Sequence, residues 1–138
     1  VNDIYVLDAC ALIAVLSNED GADKVVEVYE KVITGEAKLV INTINLLEVY
    51  YQDYRFHGEK AANKMIDSVK ALKIEIITDV SNELFREAGR LKAIYKISLA
   101  DSIALAQAKV IKGILLTSDH HEFNIVENNE PIRFLWIR

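Results

Sequence analysis

Five short runs rich in β-branched and aromatic residues, "IYVLD" (4–8), "KLVIN" (38–42), "IEIIT" (74–78), "ILLTSD" (114–119) and "IRFLWI" (132–137), are separated by stretches with helical spacing. Apolar runs of this length suit strands buried on both faces, and the intervening periodicity suits crossover helices. Together they specify an α/β fold: a central parallel sheet of four to five strands flanked by helices on both faces. The stretch "ADKVVEVYEKVITG" (22–35) is representative, with Val25, Val28, Tyr29 and Val32 on one face, charges opposite, and Gly35 as a stop. Further helices are predicted over 9–18, over 43–56 with Thr43 as the opening residue, and over 59–72, 80–95 and 98–112. His57–Gly58 and Gly113 are breaks. The polar stretch "DHHEFNIVENNEP" (119–131) reads as the longest loop.

Composition enters as a bound. A chain of 138 residues, 51% hydrophobic with one proline and no repeats or low-complexity linkers, makes one domain over 1–138. No uninterrupted apolar stretch reaches the roughly 20 residues of a membrane span. The single cysteine, Cys10, cannot close an internal disulfide, and the N-terminal residues lack a secretory pattern, so a cytoplasmic setting is expected. A net charge of −5 excludes a protein that grips nucleic acid by overall positive charge and leaves only a local basic stripe for that purpose.

In open parallel sheets ligands bind beyond the carboxyl ends of the strands. Asp8 closes the first strand and Asp119 the fourth, Glu48 lies about one turn into the helix after the second strand, and Asp101 begins the helix leading to the fourth. Taken alone, Asp101 reads equally as a helix cap or dipole partner. The four acids are expected to converge on one sheet edge. Glu48 is embedded among Leu46, Leu47, Val49, Tyr50 and Tyr51, and Asp101 among Leu99, Ala100, Ile103 and Ala104, with no basic neighbour in sequence. Carboxylates in apolar surroundings need a partner, and four together repel; a hard, oxygen-seeking cation, Mg²⁺ or Mn²⁺, resolves both problems.

The segments "YVLDACALIA", "NTINLLEVYY", "SLADSIALA" and "LLTSDHHEF" resemble, in order and context, the four acidic motifs of the PIN-domain family, most of all the VapC-type toxin ribonucleases of toxin–antitoxin pairs. The resemblance spans nearly the whole chain. It implies that Asp8, Glu48, Asp101 and Asp119 are metal-binding and catalytic acids, that the reaction is phosphodiester hydrolysis of RNA with one or two metal ions and no protein nucleophile, and that an antitoxin and a second copy of the chain are partners. Ser118, Asn45 and Glu122 are auxiliary candidates. The chain departs from the family habit at Cys10, where Ser or Asn is common, and at Glu122, where Asp is.

Other residues have plainer roles. His120 and His121 read as solvated loop residues and Cys10 as a small buried one. Tyr50, Tyr51, Tyr54 and Phe56 read mainly as packing or dimer contacts, while Arg55, Lys60 and Lys64 are candidates for RNA phosphates. Arg86, Arg90, Lys92 and Lys96 read as a solvated basic face. Two other functions remain open. A phosphoacceptor receiver domain shares the fold class, but Asp8 is followed by Ala9 instead of a second acid, and "IRFLWIR" lacks the expected lysine. An inactive PIN-like domain that binds RNA or protein is the other, and the four retained acids argue against it.

Overall fold

The structure, a computed structural model, describes residues 2–138. The elements follow in the order β1 (Asp3–Leu7), α1 (Ala9–Leu16), α2 (Ala22–Ile33), β2 (Ala37–Asn42), α3 (Thr43–His57), α4 (Glu59–Lys70), β3 (Glu75–Ile77), α5 (Asn82–Ile94), α6 (Leu99–Val110), β4 (Ile114–Thr117), α7 (His120–Asn129) and β5 (Arg133–Trp136). The five strands form one sheet in the order β3-β2-β1-β4-β5. Every pairing is parallel.

Two-residue alternation divides the strand side chains between two cores. Tyr5, Leu7, Leu39, Ile41 and Leu116 face the layer that includes α1 and α2. Val6, Val40 and Leu115 face Leu84, Leu91, Leu105 and Phe123 of α5, α6 and α7. Because both faces are covered, the central strands carry no polar alternation, which is why they stand out in the sequence as continuous apolar runs. Gly58, at φ +90°, turns the chain between α3 and α4, a conformation that favours glycine.

One local expectation is corrected. The supposed loop over 119–131 contains α7 (His120–Asn129). Only Phe123 and Val126, one turn apart, are buried there, so a narrow apolar stripe is hidden in a polar stretch. Asp119 starts the helix by accepting a hydrogen bond from the Glu122 N–H. Helix α3 opens at Thr43 as expected; what the sequence reading did not name is its cap, Asn42, whose side chain accepts from the Ile44 N–H at 2.9 Å.

Candidate active site

The chain leaves β1 for β2 and β3 on one side, then returns through α5 and α6 to place β4 and β5 on the other. The β1–β4 junction is therefore the point at which the crossovers diverge, and the crevice beyond it is where a doubly wound sheet holds its ligand. Asp8 follows β1 directly, and Asp119 follows β4 after one intervening residue.

Each acid is fixed by its element. Asp8 caps α1, accepting from the Ala11 N–H at 2.8 Å, and is only 3% exposed. Asp101 is the third residue of α6, its N–H donating to the Ser98 Oγ at 3.0 Å, which leaves the carboxylate half-buried in the first turn. Asp119 caps α7 and donates its own N–H to the Thr117 Oγ1 at 3.1 Å. Glu48 projects half-buried from the second turn of α3.

Asp8, Glu48 and Asp101 each feel the charge of other acids in the set. Burial pushes the Asp8 carboxyl up to about 7; hydrogen bonds from Thr117 and Ala11 oppose the rise, and the charges of Asp101 and Asp119 add to it. Burial also raises Asp101, to about 6, helped by Asp119, Glu48 and Glu122 against the Ser98 hydrogen bond. Glu48 is raised by burial and then by Asp119. Cys10 stands in the field of all four acids: partial burial first, then Asp8, Asp119, Asp101 and Glu48, hold its thiol up at about 12. The leading charges acting on Asp8, Glu48 and Asp101 are those of other acids.

The donor set fits a hard divalent cation. It offers carboxylate oxygens without a competing base, and one buried acceptor beside it, Asn45 Oδ1, has no protein donor. Asn45 is 1% exposed and lies one turn before Glu48 on α3; its Nδ2 donates to the Ala100 carbonyl, next to Asp101, at 2.9 Å. Among the described residues no three His, Cys, Asp or Glu side chains stand close enough together to form a metal cluster.

The remaining sequence candidates fall into two groups. Glu122, in the first turn of α7, lies within reach of Asp101's field, and Ser118 bridges Thr117 and Asp119 along the chain. Arg55, Lys60 and Lys64 are exposed on the α3–α4 hairpin; Arg55 lies seven residues, about 10 Å along the helix axis, beyond Glu48, with its guanidinium 5.5 Å from the centre of the Tyr51 ring. They do not join the acids. Lys64 instead lines a cavity of about 650 Å³ with Ile13, Leu16, Val49, Phe56 and Met65.

Three expectations about single residues change. Cys10 is exposed, because the second position of α1 faces outward over the acids. His120 is packed on Trp136, with ring centroids 3.9 Å apart, while the His121 side chain is solvated. Arg90 belongs to an ion-pair network with Glu87 and Glu130, in which Lys109 also pairs with Glu87 at 2.8 Å. The sequence reading missed Thr117, fully buried, whose Oγ1 accepts from the Asp119 N–H and whose hydroxyl lowers the Asp8 carboxyl. Its only signal is a hydroxyl at the end of an otherwise apolar strand. The Asn42–Gln107 hydrogen bond, 2.9 Å and buried between β2 and α6, left no sequence signal because its partners are 65 residues apart.

The PIN domain family model matches residues 5–128. Among curated proteins none matches the chain in sequence. Solved structures are similar in fold. A toxin–antitoxin complex from Klebsiella pneumoniae is 22% identical with a TM-score of 0.66, covering 97% of this chain and 98% of that one. VapBC2 from Rickettsia felis, bound to a DNA fragment from its promoter, is 20% identical with a TM-score of 0.73, covering 96% and 97%. VapC20 from Mycobacterium tuberculosis, a sarcin-ricin loop cleaving toxin, is 13% identical with a TM-score of 0.59, covering 80% and 86%.

Proposed function

Because the chain belongs to the PIN domain family, we propose that it is a metal-dependent endoribonuclease and the toxin of a toxin–antitoxin pair. What supports this reading most is that Asp8 and Asp119 follow the two strands of the β1–β4 switch point and that the charges raising Asp8, Glu48 and Asp101 are those of other acids. Such a set is a poor structural device, since crowding uncompensated carboxylates costs stability. It is a good receptor for Mg²⁺ or Mn²⁺.

A bound divalent cation supplies Lewis-acid polarisation of a phosphodiester and a water activated near neutral pH. The chain's own work is positional. Thr117 accepts from the Asp119 N–H, Ser98 holds the first turn of α6 and with it Asp101, and Asn45 ties α3, which carries Glu48, to α6 next to Asp101. No serine, cysteine or histidine is assigned as a nucleophile.

Similar folds solved as toxin–antitoxin complexes support an antitoxin partner for this chain, and the RNA-cleaving neighbour supports an RNA substrate. Exposed Leu47, Tyr51 and Phe56 on α3 support a homodimer by offering apolar surface outside the core. A cytoplasmic setting is part of the proposal; no described helix is long and apolar enough to cross a membrane.

The test is cleavage of single-stranded RNA by the purified chain with Mg²⁺ or Mn²⁺, with and without EDTA. Asp8→Asn and Asp101→Asn, purified identically, are the controls. Cleavage that EDTA stops and both variants lose supports the assignment. Cleavage that continues in EDTA, or unchanged in the variants, refutes it, and metal-loaded protein that binds RNA without cutting it returns the chain to a binding role.

A further inference from the structure

Three aromatic rings stack in a row beside the acid cleft. Phe134 and Trp136, two residues apart on β5 and so on one face of the sheet, lie 5.3 Å apart with their planes 10° from parallel. His120 continues the row on Trp136, at 3.9 Å and 15°. Aromatic pairs inside proteins favour edge-to-face or offset packing, and a near-parallel ladder of three is the arrangement by which successive nucleobases stack. The ladder starts against the α5–α7 core, where Phe134 packs, and ends at an exposed ring.

The terminal ring is held in place. One His120 nitrogen, Nδ1, is 3.2 Å from Asn124 Oδ1 and the other, Nε2, is 2.8 Å from the Arg138 carbonyl oxygen. Trp136 is oriented in turn by its Nε1–H, which donates to Glu127 at 3.1 Å. A ring fixed in this way loses little further entropy when a flat ligand settles on it. Its position matters as much as its rigidity, because His120 directly follows Asp119 and begins α7 at the same carboxyl edge of the sheet as the four acids.

We propose that His120, backed by Trp136 and Phe134, is a stacking subsite for an unpaired nucleobase of the RNA whose phosphodiester enters the acid cleft. This rests on the ribonuclease reading and deepens it, placing base recognition on the β4–β5 side of the cleft and away from Arg55, Lys60 and Lys64. The ligand class is a single-stranded segment, since a base paired in a duplex has no free face to offer. The ladder reads a π-face and not a hydrogen-bond pattern, so it contributes affinity and register with little preference among bases.

The probes are a fluorescein-labelled adenosine hexaribonucleotide and its abasic counterpart, mixed with the full chain in EDTA and again with Ca²⁺. Binding is followed by anisotropy and by the proton NMR signals of the three histidines. The expected result is that the hexamer binds more tightly than the abasic strand and moves the His120 ring signal upfield by ring current. His120→Ala weakens hexamer binding about tenfold, as expected for one lost stack, and leaves the abasic strand unaffected. His120→Phe, which keeps a ring without the nitrogens, restores affinity to within about threefold of the parent, and His121→Ala changes nothing. Equal affinity of parent and His120→Ala for the hexamer, or a bound hexamer that leaves the His120 signal in place, overturns the subsite and leaves the nuclease assignment standing. Failure of the parent to bind either strand in both buffers overturns the subsite and the RNA reading together.

Discussion

Helix α6 has a charged cluster at each end, and the two are opposites. At its C-terminal end Lys109 meets Glu87, Arg90 and Glu130, two cations interleaved with two acids, and Tyr95 donates its hydroxyl to Glu130. The carboxyls of Glu87 and Glu130 are held below the usual range, first by hydrogen bonds from Arg90. At the N-terminal end Asp101 meets Asp119, Glu48 and Glu122, and its carboxyl is raised. Two clusters on one helix, built from similar residue types, thus have contrary electrostatics. The first is satisfied within the chain and ties α5, α6 and the α7–β5 turn together. The second is not satisfied in this way, and on the proposed function a metal ion would complete it.

The sharpest way to break this contrast is by charge removal. Asp101→Asn is expected to lower RNA cleavage by roughly 100-fold or more, the scale of losing one preorganised electrostatic group, with an unchanged circular dichroism spectrum. Arg90→Met should leave the cleavage rate per folded molecule near that of the parent. Loss of cleavage in both, or in neither, erases the functional difference between the two ends.

Stability ranks the variants the other way. Arg90→Met strands Glu130 and Glu87 without their main partner and should cost about 1–3 kcal/mol in urea unfolding. Asp101→Asn in EDTA should be neutral or stabilising by up to about 1 kcal/mol, because removing one of several mutually repelling charges relieves strain at a functional site. Saturating Mn²⁺, at roughly 100 times its dissociation constant, should then stabilise the parent and Arg90→Met alike by about 2.7 kcal/mol and Asp101→Asn by much less. Melts in EDTA and in Mn²⁺ at one pH and ionic strength check all three.

The pH dependence separates the clusters by sign. Asp8 and Asp101 titrate near 7 and 6 in the fold against 3.8 for the free side chain, so the folded state holds more protons between those limits. Their contribution is fully present below about pH 4 and is lost as pH rises through 6 and 7, so metal-free stability should fall across that window. Glu87 and Glu130 are lowered from 4.5, and their contribution is present above that value and lost as pH falls below it. Urea unfolding in EDTA from pH 3 to 8 should show both slopes. Asp101→Asn should flatten the upper one, and Arg90→Met the lower one.

What could be read in advance follows the range of the physics involved. Central strands such as β1 and β4 announce themselves because burial on both faces forces continuous apolar runs. The acids Asp8 and Asp119 were legible because a carboxylate that ends such a run sits at a ligand-binding edge whatever the rest of the chain does. Helix α7 was hidden because it buries only Phe123 and Val126 and relies on an Asp119 cap that looks like a loop residue. The Arg90–Glu130 link and the His120–Trp136 stack were illegible because their partners lie far along the chain, 40 positions away in the case of Glu130. Thr117 shows the same limit at close range: its place is plain in the sequence, but its link to Asp8 depends on β1 and β4 lying side by side.

The central claim is that Asp8, Glu48, Asp101 and Asp119 together receive a divalent cation that the chain itself does not replace. Calorimetric titration of Mn²⁺ into the metal-free parent, Asp8→Asn, Asp101→Asn and Arg90→Met at pH 7.5 tests it most directly. The account predicts saturable binding by the parent and by Arg90→Met, and affinity lowered at least about tenfold in both Asn variants, in line with the loss of a ligand or its support. A parent that takes up no Mn²⁺, or Asn variants that bind it as tightly as the parent, contradicts the account.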